Sequence, residues 1–205
     1  VDLDGGNVNA ENYSTIYTEG AANPVGITDG NATITDPDDS SFVNLKVSIS
    51  GISDGASEVL HIGGTDILLD NSNTPATVSV GGNSYNLDLT AGVLTLTASV
   101  GEIAQADAEA LLNAISYENS SDNPTAGNRT LGVTVNDGDT DSLAATSTIN
   151  VLAVNDPPVV DLDGGNVNAE NYSTIYTEGA ANPVGITDGN ATITDPDDSS
   201  FVNLK

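Results

Sequence analysis

Apolar and polar residues alternate along most of this chain. Val43-Asn44-Leu45-Lys46-Val47-Ser48-Ile49 does so strictly, which sets its apolar residues on one face of a pleated strand and Lys46 on the other. Comparable runs rich in Val, Ile, Leu and Thr predict strands over 13–19, 32–35, 43–50, 58–62, 66–69, 77–80, 84–89, 93–98, 130–135 and 146–154. Turn signals separate them: Asp29-Gly30-Asn31, Asp54-Gly55, Gly63-Gly64, Gly81-Gly82-Asn83 and Asn136-Asp137-Gly138-Asp139. Many short strands joined by such turns describe an all-β fold, an antiparallel, Greek-key-like β-sandwich of immunoglobulin-like type. One segment departs from the pattern. Ala104, Ala108, Leu111, Leu112 and Ile115 recur at helical spacing, so a short helix is expected over 104–115.

The last predicted strand runs into Val154-Asn155-Asp156-Pro157-Pro158. Two prolines stop both helix and ladder and stiffen the chain, so 155–159 reads as a linker between modules. Beyond the linker the chain starts again. Val160-Asp161-Leu162-Asp163-Gly164-Gly165 repeats Val1-Asp2-Leu3-Asp4-Gly5-Gly6, and the match continues without a substitution to Lys46 and Lys205. Residues 1–154 are therefore a complete module, and 160–205 the first part of the next identical repeat. Identity that extends into loops, where any polar residue would serve, points to an array of many such units. Arrays of this kind space, anchor or assemble.

Composition sharpens the picture. Thirty acidic residues face three basic ones, a formal charge of −27. Such a surface excludes nucleic acid and anionic membranes as partners. It also repels itself unless cations neutralise it. There is no Cys, so disulfides cannot staple the fold, and metal ions are the usual substitute. No run of 18 apolar residues is present, so no helical membrane insertion is expected in this segment.

The acids cluster. Asp36-Pro37-Asp38-Asp39, Asp137-Gly138-Asp139-Thr140-Asp141, the linker Asn155-Asp156, and Glu19 at the end of a strand are the informative places. Calcium takes six to eight hard oxygen ligands, and Asp-x-Asp in a loop puts two carboxylates within reach of one ion. Asp and Asn are also good turn formers. Four such places in one chain favour Ca2+ over turn chemistry alone.

Thr18-Glu19-Gly20, Asp36-Pro37-Asp38, Asn136-Asp137-Gly138-Asp139 and Val154-Asn155-Asp156-Pro157-Pro158 together resemble the cadherin-like repeats of giant bacterial surface proteins and adhesins. Ile115–Ser121 and 127–138 read like the same repeats, so the resemblance covers the whole module, although 159 residues is long for one. It implies calcium at the junction between modules, stiffening a rod. The implied ligands are Glu19, Asn155, Asp156, Asp195 and Asp197. Asp36, Asp38, Asp137 and Asp139 would serve the equivalent preceding junction, and Glu178 repeats Glu19. Asp107 and Glu109 stand where cadherins place a further acidic pair, although a helix face explains them equally well. Asp2-Leu3-Asp4-Gly5-Gly6-Asn7 resembles the start of an EF-hand loop only superficially, because the twelfth position is Tyr13 and not Glu.

Asn-x-Ser/Thr occurs at Asn12, Asn31, Asn119 and Asn128, with copies at Asn171 and Asn190. Asn31 and Asn190 lead as glycan acceptors, because an acid two residues upstream suits bacterial N-glycosylation. Catalysis finds no motif: His61 is the sole histidine, and no nucleophile elbow, phosphate loop or His–metal cluster is present. Lys46 projects from the polar face of its strand, which disfavours an isopeptide crosslink. The sequence thus reads as a non-enzymatic, calcium-stiffened module of a bacterial extracellular filament or giant adhesin. Its partners would be neighbouring repeats or identical subunits. The alternative is a module recognising glycan or another surface. Residues 160–205 are expected either to continue into a full repeat, the favoured outcome, or to complete a neighbouring subunit by strand addition.

Overall fold

The computed structural model describes residues 1–7, 11–165 and 170–203, which divide into two units at Val154 and Asn155. In the first unit the strands are β1 (Tyr13–Thr18), β2 (Val25–Gly26), β3 (Ser41–Phe42), β4 (Asn44–Ser50), β5 (Glu58–Ile62), β6 (Thr65–Leu68), β7 (Ala76–Val80), β8 (Asn83–Thr90), β9 (Val93–Ala98), β10 (Ile103–Ala104), β11 (Ile115–Asn119), β12 (Gly127–Asn136) and β13 (Ala145–Leu152). Helix α1 (Gln105–Asn113) precedes β11. One sheet runs β1-β13-β12-β4-β9-β8-β7, a second β2-β11-β5-β6, and β10 pairs with β3.

Alternation does what it predicts. Leu45, Val47, Leu94, Leu96, Leu131, Val133, Ile149 and Val151 of the larger sheet join Leu60, Ile62, Ile67 and Tyr117 of the smaller in one buried core. Each such side chain contributes about 1.5–3 kcal/mol when fully buried. The fold is the expected all-β sandwich with one short helix. Pairing is antiparallel except between β1 and β13, which lie parallel with Tyr13 opposite Ser147 and Thr18 opposite Leu152. A parallel pair needs a long crossover, and here nearly the whole module lies between the two strands. Tyr17 fastens β1 inward: its ring meets Tyr117 edge-to-face at 5.6 Å, and its hydroxyl donates to the Asn119 carbonyl at 2.7 Å.

Two expectations are corrected. The helix ends at Asn113, and Ile115 opens β11, opposite Ile62 of β5. Ile115 satisfies the helical spacing, but it reaches the core from a strand. Residues 32–35 form no strand in this copy, only a bridge between Asp2 and Thr33. Ala32 and Ile34 are buried in alternation, as a strand would have them. Their N–H groups, however, are taken by side chains of α1. Asn113 Oδ1 accepts from Ala32 at 3.1 Å, and Glu109 Oε1 from Ile34 at 3.0 Å. Helix side chains thus stand in for a neighbouring strand.

In the second unit, β14 (Val159–Asp161) and β15 (Thr192–Thr194) pair antiparallel, with Val160 opposite Ile193. Residues 172–177, identical to β1, carry no strand. A strand with only one possible neighbour in the fold does not form where that neighbour is missing.

Candidate functional site

The two acidic loops of the first unit share one construction. Asp36 Oδ1 accepts from the N–H of Asp38 at 3.1 Å and of Asp39 at 3.0 Å. Asp137 Oδ1 accepts likewise from Asp139 at 2.7 Å and Thr140 at 2.8 Å. Each first Asp folds its own loop and leaves the following acids projecting. The N–H groups of Thr140 and Asp139 hold the Asp137 carboxyl below its ordinary range. The loops face each other across the Val43 N–H to Asn136 carbonyl bond of 2.7 Å. Asp39 registers the result: partial desolvation, then the charges of Asp36, Asp137, Asp38 and Asp139, push its carboxyl up. Four charges on two loops acting on one carboxylate mark a concentration of negative potential.

Positive charge is scarce beside it. Lys46 Nζ lies 3.1 Å from Asp141 Oδ1, which also accepts from Asn136 Nδ2 at 2.8 Å. The bond from Asn136 and then that from Lys46 hold the Asp141 carboxyl low. This exposed ion pair occupies the lysine and excludes it from a buried crosslink. Arg129 is buried and paired with Glu58 and Asp54. Asp36, Asp38, Asp39, Asp137 and Asp139 therefore have no cation of the chain against them in an ion pair among the described residues.

Glu19 sits at the other end of β13 from these loops. Its N–H donates to the Leu152 carbonyl at 2.9 Å, and its Oε2 accepts the Val154 N–H at 2.7 Å. Its Oε1 is buried with no hydrogen-bond partner. A second buried orphan, Asn44 Oδ1, lies on β4 where Asn44 pairs with Asn136 beside the acidic loops. Both are oxygen acceptors, and a buried acceptor left unpaired costs about 1–3 kcal/mol. A hard cation is a ligand that would satisfy such oxygens. Among the described residues no three His, Asp or Glu side chains are already gathered as a metal-holding group.

In the second unit the same turn returns bond for bond. Asp195 Oδ1 accepts from the N–H of Asp197 and of Asp198, both at 3.0 Å. The linker enters it here, because the Asp156 N–H donates to Asp197 Oδ2 at 2.5 Å. Asn155 lies beside it, its Nδ2 on the Asp156 carbonyl at 2.6 Å. Glu178 lies exposed at a turn. Glu109 is used inside the fold, bonded to Ile34 and to Gln105.

The sequons separate by accessibility. Asn31 is exposed, its N–H and Nδ2 both donating to the Asp29 carboxylate at 2.8 and 3.3 Å, and Asn190 with Asp188 repeats this geometry. Asn12 and Asn128 hold Thr146 N–H and Asn150 Nδ2, while Asn171 is exposed. Asn119 is buried, with Nδ2 donating to Asp54 at 2.7 Å and Oδ1 accepting the Ser121 N–H. This removes Asn119 from the acceptors once the module has folded. His61 lies half-buried between Asp66 at 2.7 Å and Glu118 at 2.8 Å, a satisfied strand residue.

Comparison with protein-family profiles, with curated proteins and with solved structures finds no match for this chain.

Proposed function

We propose that this chain is a tandem structural module of a bacterial extracellular filament or giant adhesin, whose module ends are stiffened by calcium. The observation that carries the reading is one carboxylate turn seen twice with different neighbours. In the first copy Asp36 and Asp38 share a field with Asp137 and Asp139. In the second the identical Asp195 and Asp197 receive the linker at Asp156. A complete module preceded by its linker brings both sets of neighbours to one turn, with carboxylates and backbone oxygens in the number a calcium ion takes. Asn155 and Asp156 from the linker, Asp195 and Asp197 from the following module and Glu19, with its orphaned Oε1, from the preceding one would hold it. The ion would supply charge neutralisation and rigidity, and no catalytic role is assigned.

Thermal unfolding of the chain in millimolar calcium against a chelator tests this. Ligand linkage predicts about 2.7 kcal/mol of stabilisation at one hundred times the dissociation constant. Superimposable melting curves would remove calcium from the reading. Electron micrographs of native material should then show filaments or long rods, and isolated globules would remove the tandem role as well.

The alternative, glycan recognition, has one observation in its favour. A shallow hollow of about 590 Å³ on the larger sheet is lined by Thr77, Asn86, Asp88, Thr95 and Thr97. Binding on a glycan array that is lost in Asp88→Ala would favour it.

A further inference from the structure

Residues 1–43 supply only margins to the module. β1 is the edge of the seven-stranded sheet, β2 the edge of the four-stranded sheet, and β3 pairs with β10 alone. The interior begins at β4, between β12 and β9. Residues 160–202 repeat that marginal stretch letter for letter. Part of its scaffold is already in place. The Leu162 N–H donates to Glu170 and Asp188 N–H to Leu162, at the same 2.9 and 3.1 Å as Leu3 to Glu11 and Asp29 to Leu3. A Cβ at Gly164 would meet the Asn190 carbonyl oxygen at 2.1 Å, as one at Gly5 would meet Asn31 at 2.0 Å, so both copies need glycine there.

The side chains tell the copies apart. Tyr17, Ile27, Ile34 and Phe42 are each exposed by 1% or less, whereas Tyr176, Ile186, Ile193 and Phe201 are exposed by 61%, 84%, 38% and 44%. An apolar face of that extent is normally covered. We infer that 160–202 completes the module body, residues 44–154, of a second copy of this chain. The inference deepens the tandem-module reading by naming the partner, and it does not depend on calcium. Sequence identity names the occupant. Every contact that residues 1–43 make with their own body, from the β13 edge to the Tyr117 ring, is offered unchanged by any other copy. The exchange differs from the intramolecular arrangement in connectivity alone, so effective concentration decides between them. A displaced leading segment then opens a head-to-tail chain of modules.

The experiment is run in chelator and elevated salt, so that neither calcium nor the charge of −27 decides it. Tyr17→Asp disables the chain's own leading segment and leaves Tyr176 intact. Its mass by light scattering should rise with concentration, and Tyr17→Asp/Tyr176→Asp should stay at monomer mass. Assembly insensitive to Tyr176 overturns the inference. So does a folded monomer of Tyr17→Asp, because the chain's own body is then the occupant. Should Tyr17→Asp fail to fold, a trap in otherwise native chains decides. Ser14 stands opposite Thr148, Ser173 is the counterpart of Ser14, and the chain has no cysteine. Ser173→Cys chains refolded together with Thr148→Cys chains should form mixed disulfide dimers several-fold above an Asp122→Cys control. Equal yields overturn the inference.

Discussion

Arg129 Nε donates to Glu58 Oε2 at 2.8 Å where both side chains are buried, a charge pair closed inside a β-sandwich. Arg129 Nη2 reaches Glu58 Oε1 at 3.1 Å and Asp54 Oδ2 at 3.0 Å. Tyr117 Oη and the Ser53 and Asp54 N–H groups complete the shell around Glu58. Every member has partners, which is the condition under which a buried ionic cluster holds together.

Removing the arginine should therefore be severe. Arg129→Met leaves the Glu58 carboxylate buried without its cation, a loss of about 3–5 kcal/mol. Urea unfolding followed by circular dichroism measures it. A midpoint within error of the unsubstituted chain would show the cluster to be incidental.

The same cluster sets an acid limit. Burial alone would raise the Glu58 carboxyl, but the bonds from Arg129, Ser53, Tyr117 and Asp54 outweigh it and hold it below its ordinary value. Asp54, also partly desolvated, is held low by Thr125, Asn119 and Arg129. A depressed folded pKa contributes stability above the unfolded value, near 4, that is lost as pH falls through the folded one. Stability should hold down to about pH 4 and fall below it. In Arg129→Met, protonation neutralises the stranded Glu58, so the gap between variant and parent should narrow with falling pH. An equal gap at neutral and acid pH contradicts this assignment.

The linker aspartate should matter when calcium is present. Asp156→Ala is expected to lose most of the calcium-dependent rise in melting temperature, while Asp122→Ala, on an exposed loop, keeps it. Asp54, by its turn sequence an equally exposed choice, cannot act as control because it is bonded to Arg129, Asn119 and Thr125. Equal losses in the two variants would point to general charge screening.

Glycopeptide mass spectrometry of native material should find glycan at Asn31 and Asn190 and none at Asn119. Occupancy at Asn119 would mean that modification precedes folding. Bare Asn31 and Asn190 would remove the glycoprotein reading.

Much of the architecture is legible in residue order. Period-two alternation locates the long strands, because a strand with one buried face must alternate whatever lies around it. The repeat is visible as identity, and the acid-rich loops as composition. Arg129 also leaves a trace in its own strand: it shares the inward parity of Leu131, Val133 and Val135, as Glu58 shares that of Leu60 and Ile62. Two opposite charges at core positions of two such runs are a signal for a buried pair.

Other features are decided only in three dimensions. The parallel docking of β1 on β13 joins residues that nearly span the module, and no local pattern encodes such a partner. Ala32 and Ile34 alternate like a strand, yet their N–H groups bond to Asn113 and Glu109, a choice that depends on where α1 packs. Asn119 and Asn31 carry the same sequon, and only packing makes one core and the other surface. The two copies of the leading segment mark the boundary most clearly. Identical residues form β1 in one and no strand in the other, because an edge strand draws its hydrogen bonds and its buried face from a neighbour.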